Sequence, residues 1–98
     1  MTTWRDLSGQ EQAILVGVVL SRDGRRKVPA DRWQSDPFVY LRTFDLIIAI
    51  ARQGDDVIYT ISPHAIDLLL SAPDDADGQR IFPTHVHIQE MKHKLKAK

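Results

Sequence analysis

Chemistry in this chain would have to come from four histidines, a few paired acids and a cluster of bases. His85 and His87 stand two residues apart in HVH, a spacing that on a β-strand puts both imidazoles on one face, where they can chelate a metal with His93 as a third ligand. No Asp, Glu or Cys pattern accompanies them, so they read more simply as two exposed histidines on an edge strand, and no metal is expected. His64 follows a Ser-Pro helix start and reads as a solvated side chain. Asp55-Asp56 and Asp74-Asp75-Ala76-Asp77 could attract a cation, but acidic turns of this kind usually serve solubility. With two glutamates, no cysteine, scattered serines and no phosphate-binding or nucleophile motif, the chain offers little for a nucleophile–base pair. It is expected to be neither an enzyme nor a cofactor protein.

The bases are more informative. Thirteen Lys+Arg balance thirteen Asp+Glu, and a net charge of zero argues against a strong non-specific nucleic-acid binder. The distribution is uneven, however. Arg22, Arg25, Arg26, Lys27 and Arg32 gather in one stretch, Lys92, Lys94, Lys96 and Lys98 mark the C-terminus, and Asp74, Asp75 and Asp77 lie between. Trp33, in PADRWQSDP, falls between two proline-marked turns, where an aromatic anchors short helices on a core. Trp33, Phe38 and Tyr40 could alternatively form a partner-binding surface, because aromatics near arginine concentrate at binding hot spots.

Those residues must be positioned by a small frame. Ninety-eight residues at 43% hydrophobic and 27% charged describe one globular domain. Cysteine is absent, which excludes disulfides and thiolate metal sites and favours a cytoplasmic setting. The runs AILVGVVL and LIIAIA fall well short of the ~20 residues needed to cross a bilayer, so no membrane association is expected. The start MTTWRDLSGQEQ is polar and carries acids, unlike a signal peptide.

Ser8 and Glu11 form the S-x-x-E of a capping box, opening a helix over Gln10 to Leu20 that is apolar at Ala13, Ile14, Val16, Gly17, Val18 and Leu20. Asp23-Gly24 ends it. Val28-Pro29 is extended, and Pro29 begins a short helical turn from Ala30 to Gln34. Ser35 or Asp36 caps a further helix with Pro37 at its first position, and Phe38, Leu41, Phe44 and Ile48 recur at helical spacing along it. Residues 46–53 fit two readings. In one, this helix continues to Gln53 with Gly54 as its left-handed cap. In the other, which the β-branched isoleucines favour, it stops near Asp45 and Ile47 to Arg52 pairs with Val57 to Ile61 as a hairpin. Ser62 then caps, and Pro63 starts, a short helix ending at Ser71 that offers Ile66, Leu69 and Leu70 to the core. APDDADGQ is a loop, Arg80 to Ile88 contains a candidate edge strand interrupted by Pro83, and MKHKLKAK is a lysine-rich tail or a frayed helix with little to anchor it beyond Met91 and Leu95.

The stretch VIYTISPHAIDLL resembles the second wing strand and following helix of winged helix-turn-helix regulators, through Tyr59, Ile61, Ser62, Pro63, Ala65, Leu68 and Leu69. The resemblance covers residues 8–71 and makes Gly54-Asp55-Asp56 the wing tip and the helix from Pro37 to about Asp45 the recognition helix. It implies an α+β fold: a small winged-helix-like domain of three helices, a β-hairpin and a further short helix, with a basic C-terminal tail. Residues 1–98 then form a single domain, with a core over 8–71, an acidic loop over 72–79, and the candidate edge strand and lysine-rich tail over 80–98.

Two functions follow from these expectations. The first is a DNA-binding transcriptional regulator acting as a homodimer, in which Arg25, Arg26, Lys27, Arg32 and Arg42 contact double-stranded DNA. The second is a non-enzymatic protein–protein interaction module, for example a phage- or plasmid-type accessory protein that modulates a host factor, using Trp33, Phe38 and Tyr40. The arginines separate the two: a shared face with the third helix favours DNA, and scatter favours the protein partner.

Overall fold

The computed structural model describes residues 3–72 and 82–97. Its elements run α1 (Gly9–Leu20), β1 (Arg26–Pro29), α2 (Ala30–Trp33), α3 (Phe38–Thr43), β2 (Ile47–Gln53), β3 (Asp56–Ile61), α4 (His64–Leu70) and α5 (His85–Lys96). The fold is α+β, with the three strands forming one antiparallel sheet in the order β1-β3-β2.

The capping box is formed as the sequence demands: Ser8 Oγ accepts the Glu11 N–H at 3.2 Å, and Glu11 Oε1 accepts the Ser8 N–H at 2.7 Å. From there α1 is apolar nearly all round, burying Leu15, Val16, Val18 and Val19, as a helix enclosed on most sides does. Gly24, at φ +74, turns the chain into β1. Val28 pairs with Val57, and Lys27 with Ile58. One sheet face therefore carries the buried Val28, Val57 and Tyr59, and the other carries Lys27, Ile58 and Thr60.

The ambiguity at residues 46–53 resolves as a hairpin, for a local reason. Asp45 takes a left-handed φ of 57, Leu46 N–H donates to Leu41 O at 2.8 Å and Asp45 N–H to Arg42 O at 3.0 Å. This is a Schellman stop with aspartate where glycine is usual. α3 therefore ends at Thr43, leaving Phe44 47% exposed and Ile48 in β2. Gly54, at φ +61, opens the two-residue turn into β3.

The junction from β3 to α4 works through Ser62, which is 1% exposed. Its Oγ accepts the His64 N–H at 3.0 Å and donates to Asp45 O, so one hydroxyl both starts α4 and ties it to the end of α3. α4 buries Ala65, Leu68 and Leu69. Of the three core positions expected on this helix, Leu69 is fully buried and Leu70 packs half-buried against the core, while Ile66 is 37% exposed.

The C-terminal segment differs most from expectation. His85–Lys96 is one twelve-residue helix: it replaces the edge strand expected up to Ile88 and extends the terminal helix for which Met91 and Leu95 were the expected anchors, while residues 80–81 and the acidic 73–79 lie outside the described residues. Ile88, Met91 and Leu95 fall at i, i+3 and i+7, one face of a helix, and join the same core as Leu15, Leu41 and Leu69. Lys94 Nζ reaches back to Val19 O at 3.0 Å and Ser21 O at 2.9 Å, satisfying carbonyls at the end of α1. No helix among the described residues is long and apolar enough to cross a membrane.

Candidate functional site

Three rings from three elements meet at the centre of the domain. Trp33 closes α2, Phe38 opens α3 and Tyr59 points inward from β3. Their centroids lie 5.9 Å (Trp33–Phe38), 5.3 Å (Trp33–Tyr59) and 5.6 Å (Phe38–Tyr59) apart, the last pair edge-on at 83°. These are separations and angles that aromatic quadrupoles favour. Trp33 and Phe38 are 6% and 8% exposed, which gives them a packing role. Tyr40 is half-buried and stacks on the exposed Phe44 at 4.6 Å, so of the three aromatics considered for a partner surface it alone reaches solvent appreciably.

Arg42 belongs to this cluster. Its guanidinium sits 4.9 Å over the Trp33 ring and donates to Trp33 O at 3.1 Å and, more weakly, to Gln34 Oε1 at 3.4 Å. Its Nε is buried without a hydrogen-bond partner. A guanidinium stacked and hydrogen-bonded in this way holds α2 to α3.

Three other bases border a single groove. Arg26 and Lys27 on β1 and Arg32 on α2 line one groove of about 320 Å³, with Ile14 of α1, Phe38, Tyr59 and Phe82 among its apolar walls. Arg26 lies along α1 where Gly17 leaves room, because a Cβ on Gly17 would stand 2.8 Å from Arg26 Nη1. Lys27 Nζ is 4.0 Å from Asp56 Oδ2, and both side chains are more than a third exposed, so that pair holds Lys27 only loosely. Arg25 is exposed on the turn before β1, its N–H 3.4 Å from Asp23 Oδ1, and does not line the groove. Of the five bases expected to act together, three contribute to the groove's lining, Arg26 from the face of β1 that carries Val28 and Lys27 from the opposite one; Arg25 stays outside and Arg42 is committed to Trp33. A groove with cationic rims and an aromatic floor can hold an anionic group without supplying catalysis.

Tyr59 forms part of that floor. Burial pushes its phenol above the ordinary tyrosine value of 10.0, and the positive Arg26 pulls it partly back. Because the folded-state value is raised, the neutral phenol's contribution to stability is complete below the ordinary value and is lost as pH rises through the folded one. Melting temperatures measured from about pH 8 to about pH 11 should therefore fall more steeply for the wild type than for Tyr59→Phe. Parallel curves would show that Tyr59 does not carry the alkaline loss.

The histidines do not converge. His85 and His87 lie in the first turn of α5, where residues two apart diverge by roughly 200° around the axis. His87 Nδ1 accepts the Thr84 N–H at 3.1 Å, and its ring packs on Phe82 at 4.6 Å. His64 Nε2 lies 3.2 Å from Asp45 Oδ2. Among the described residues no three His, Asp or Glu side chains cluster as metal ligands would. Sequence reasoning missed Ile14 and Phe82 as groove walls and Gly17 as the seat of Arg26. A small residue amid an otherwise bulky buried helix was the signal for the last of these. Comparison with protein-family models, curated proteins and solved structures returned no match to the chain.

Proposed function

We propose that the protein is a small, non-catalytic DNA-binding regulator of winged-helix type, and that Arg26, Lys27 and Arg32 supply its principal phosphate contacts. The observation that carries this reading is the shared groove, whose lining includes Arg26, Lys27 and Arg32 together with Phe38, the first residue of α3. The order helix, strand, short helix, helix, hairpin, helix, which the winged-helix resemblance implies, supports it. The hairpin tip is a poorer contact than the groove. It carries Asp55 and Asp56, and Asp55 O accepts the Ala30 N–H at 2.8 Å, which draws the tip toward the start of α2. Arg42, held by Trp33, keeps the helix pair together and leaves DNA contact to the groove.

A mobility-shift titration on duplex DNA tests this. Three phosphate contacts give a slope of about −2.7 in log K against log salt, so affinity should fall about 40-fold between ~50 and ~200 mM salt. Neutralising all three (Arg26→Gln, Lys27→Gln, Arg32→Gln) should remove most of the shift and flatten its salt dependence. Failure of the wild type to retard any duplex at low salt would overturn the proposal. The acidic hairpin tip and the exposed Phe44 against Tyr40 favour a second reading, a protein-interaction module. A pull-down that recovers one stoichiometric protein free of nucleic acid would select it.

A further inference from the structure

β2 is an outer strand of the sheet. β3 pairs with one side of it, and among the described residues nothing hydrogen-bonds to the other. Sheets normally protect such an edge with proline, lysine, brevity or an inward-pointing charge. Here seven residues, IIAIARQ, run open, and every one from Ile48 to Gln53 is exposed. Ile48 and Ile50 are 38% and 41% exposed. The one protective feature is a bulge between Ala49 and Ala51, which leaves Ile50 without a partner on β3.

The charges at the two ends of this edge indicate what covers it. Between Asp45 and Gln53 the only formally charged residues are Asp45, just before the strand, and Arg52, near its end. Both are exposed. A second β2 laid alongside in the parallel sense and in register would set acid against acid and base against base. Laid antiparallel about a two-fold axis at Ile48, with the bulged Ala49 and Ile50 together taking one place in the register, each copy's Arg52 stands beside the other's Asp45, and the apolar residues between them meet. The edge is thus its own complement in one orientation, the requirement for an isologous contact.

We propose that the chain self-associates through antiparallel β2–β2 pairing about this axis, joining two three-stranded sheets into one of six strands. Asp45 already faces His64 Nε2 within its own chain, and a carboxylate has acceptor sites for both partners. A strand of this length spans about 23 Å, less contact than a standard interface provides, so dissociation is expected on the order of 10 µM.

Sedimentation equilibrium on the full chain from about 1 to about 500 µM tests the pairing. The weight-average mass should climb from monomer to dimer across that range, and Ile50→Lys should hold it at monomer. Arg52→Glu and Asp45→Lys should each weaken association about tenfold or more, and an equimolar mixture of the two should regain it as a heterodimer with opposite charges at both ends. Asp45 sits at a left-handed φ, so circular dichroism checks the folding of Asp45→Lys. Asp45→Asn, which that region tolerates, should weaken association in the same direction by a smaller factor. A wild type that stays monomeric at the highest concentration would overturn the proposal. So would a dimer indifferent to Ile50→Lys and to both charge variants, or a mixture that regains nothing.

Discussion

Trp33→Ala should cost about 3–5 kcal/mol, the range for deleting a large aromatic from a packed core. The ring is 6% exposed and touches both Phe38 and Tyr59. Its removal leaves a void that two other rings line and that short helices close poorly. Arg42 also loses the face over which it is stacked, although it keeps its hydrogen bond to the backbone of residue 33. For a domain of this size the loss corresponds to a melting temperature lower by about 15–30 °C. It would use up much of a typical total stability of about 5–15 kcal/mol. Urea unfolding followed by circular dichroism and by Trp4 fluorescence measures it. A loss under about 1 kcal/mol would mean that the ring cluster does not organise α2 and α3. Because Phe38 and Tyr59 also wall the basic groove, the DNA-binding proposal requires a Trp33→Ala chain that remains folded to shift duplex DNA more weakly without losing a single cation.

Much of the frame could be read from short-range chemistry. The capping box at Ser8 and Glu11, the Gly54 turn and the Ser62-Pro63 start are local patterns whose hydrogen bonds lie within a few residues, and each is where the sequence places it. The stop near Asp45 was legible only as the favoured of two readings: that residue takes a backbone conformation usually given to glycine, so the following isoleucines fitted either helix or strand, although their β-branching favoured the hairpin that forms. What could not be read depended on distance. In α5 the apolar stripe of three residues is interleaved with histidines and lysines, and HVH read in isolation has the two-residue period of a strand. Only the surface offered by α1 and α4 decides the matter.

The site divides in the same way. The stretch containing Arg25, Arg26, Lys27 and Arg32 is visibly basic, yet neighbours along a strand point to opposite sides. Composition alone therefore does not say which of them meet. Arg26 joins the groove because Gly17, nine residues earlier on α1, leaves room for it. Arg42 drops out because Trp33, nine residues before it, takes its guanidinium across the turn between α2 and α3. Trp33 itself was legible as an anchor for short helices, since a large aromatic between two prolines has few other uses in so small a core.

The second large effect concerns the last helix. Met91 is fully buried at the centre of α5, in the core shared with α1 and α4. Met91→Lys places an ammonium in that interior, where the buried acid among the described residues, Glu11, is engaged in the α1 capping box and the adjacent Glu90 is exposed, about 100° away around α5. Burying such a charge unpaired, on top of the packing lost, should cost about 4 kcal/mol or more. Met91→Leu, which keeps the volume, should stay within about 1.5 kcal/mol. Were residues 80–98 a tail on a self-sufficient 8–71 core, Met91→Lys would leave the melt unchanged, as an exposed Lys96→Gln should. Thermal melts of the three variants separate these outcomes. Hydrogen exchange adds the location of the damage: if α5 is part of the core, Met91→Lys must lower protection along α1 as well as in α5, because Ile88, Met91 and Leu95 share one buried cluster with Leu15, Val16, Val18 and Val19 of α1.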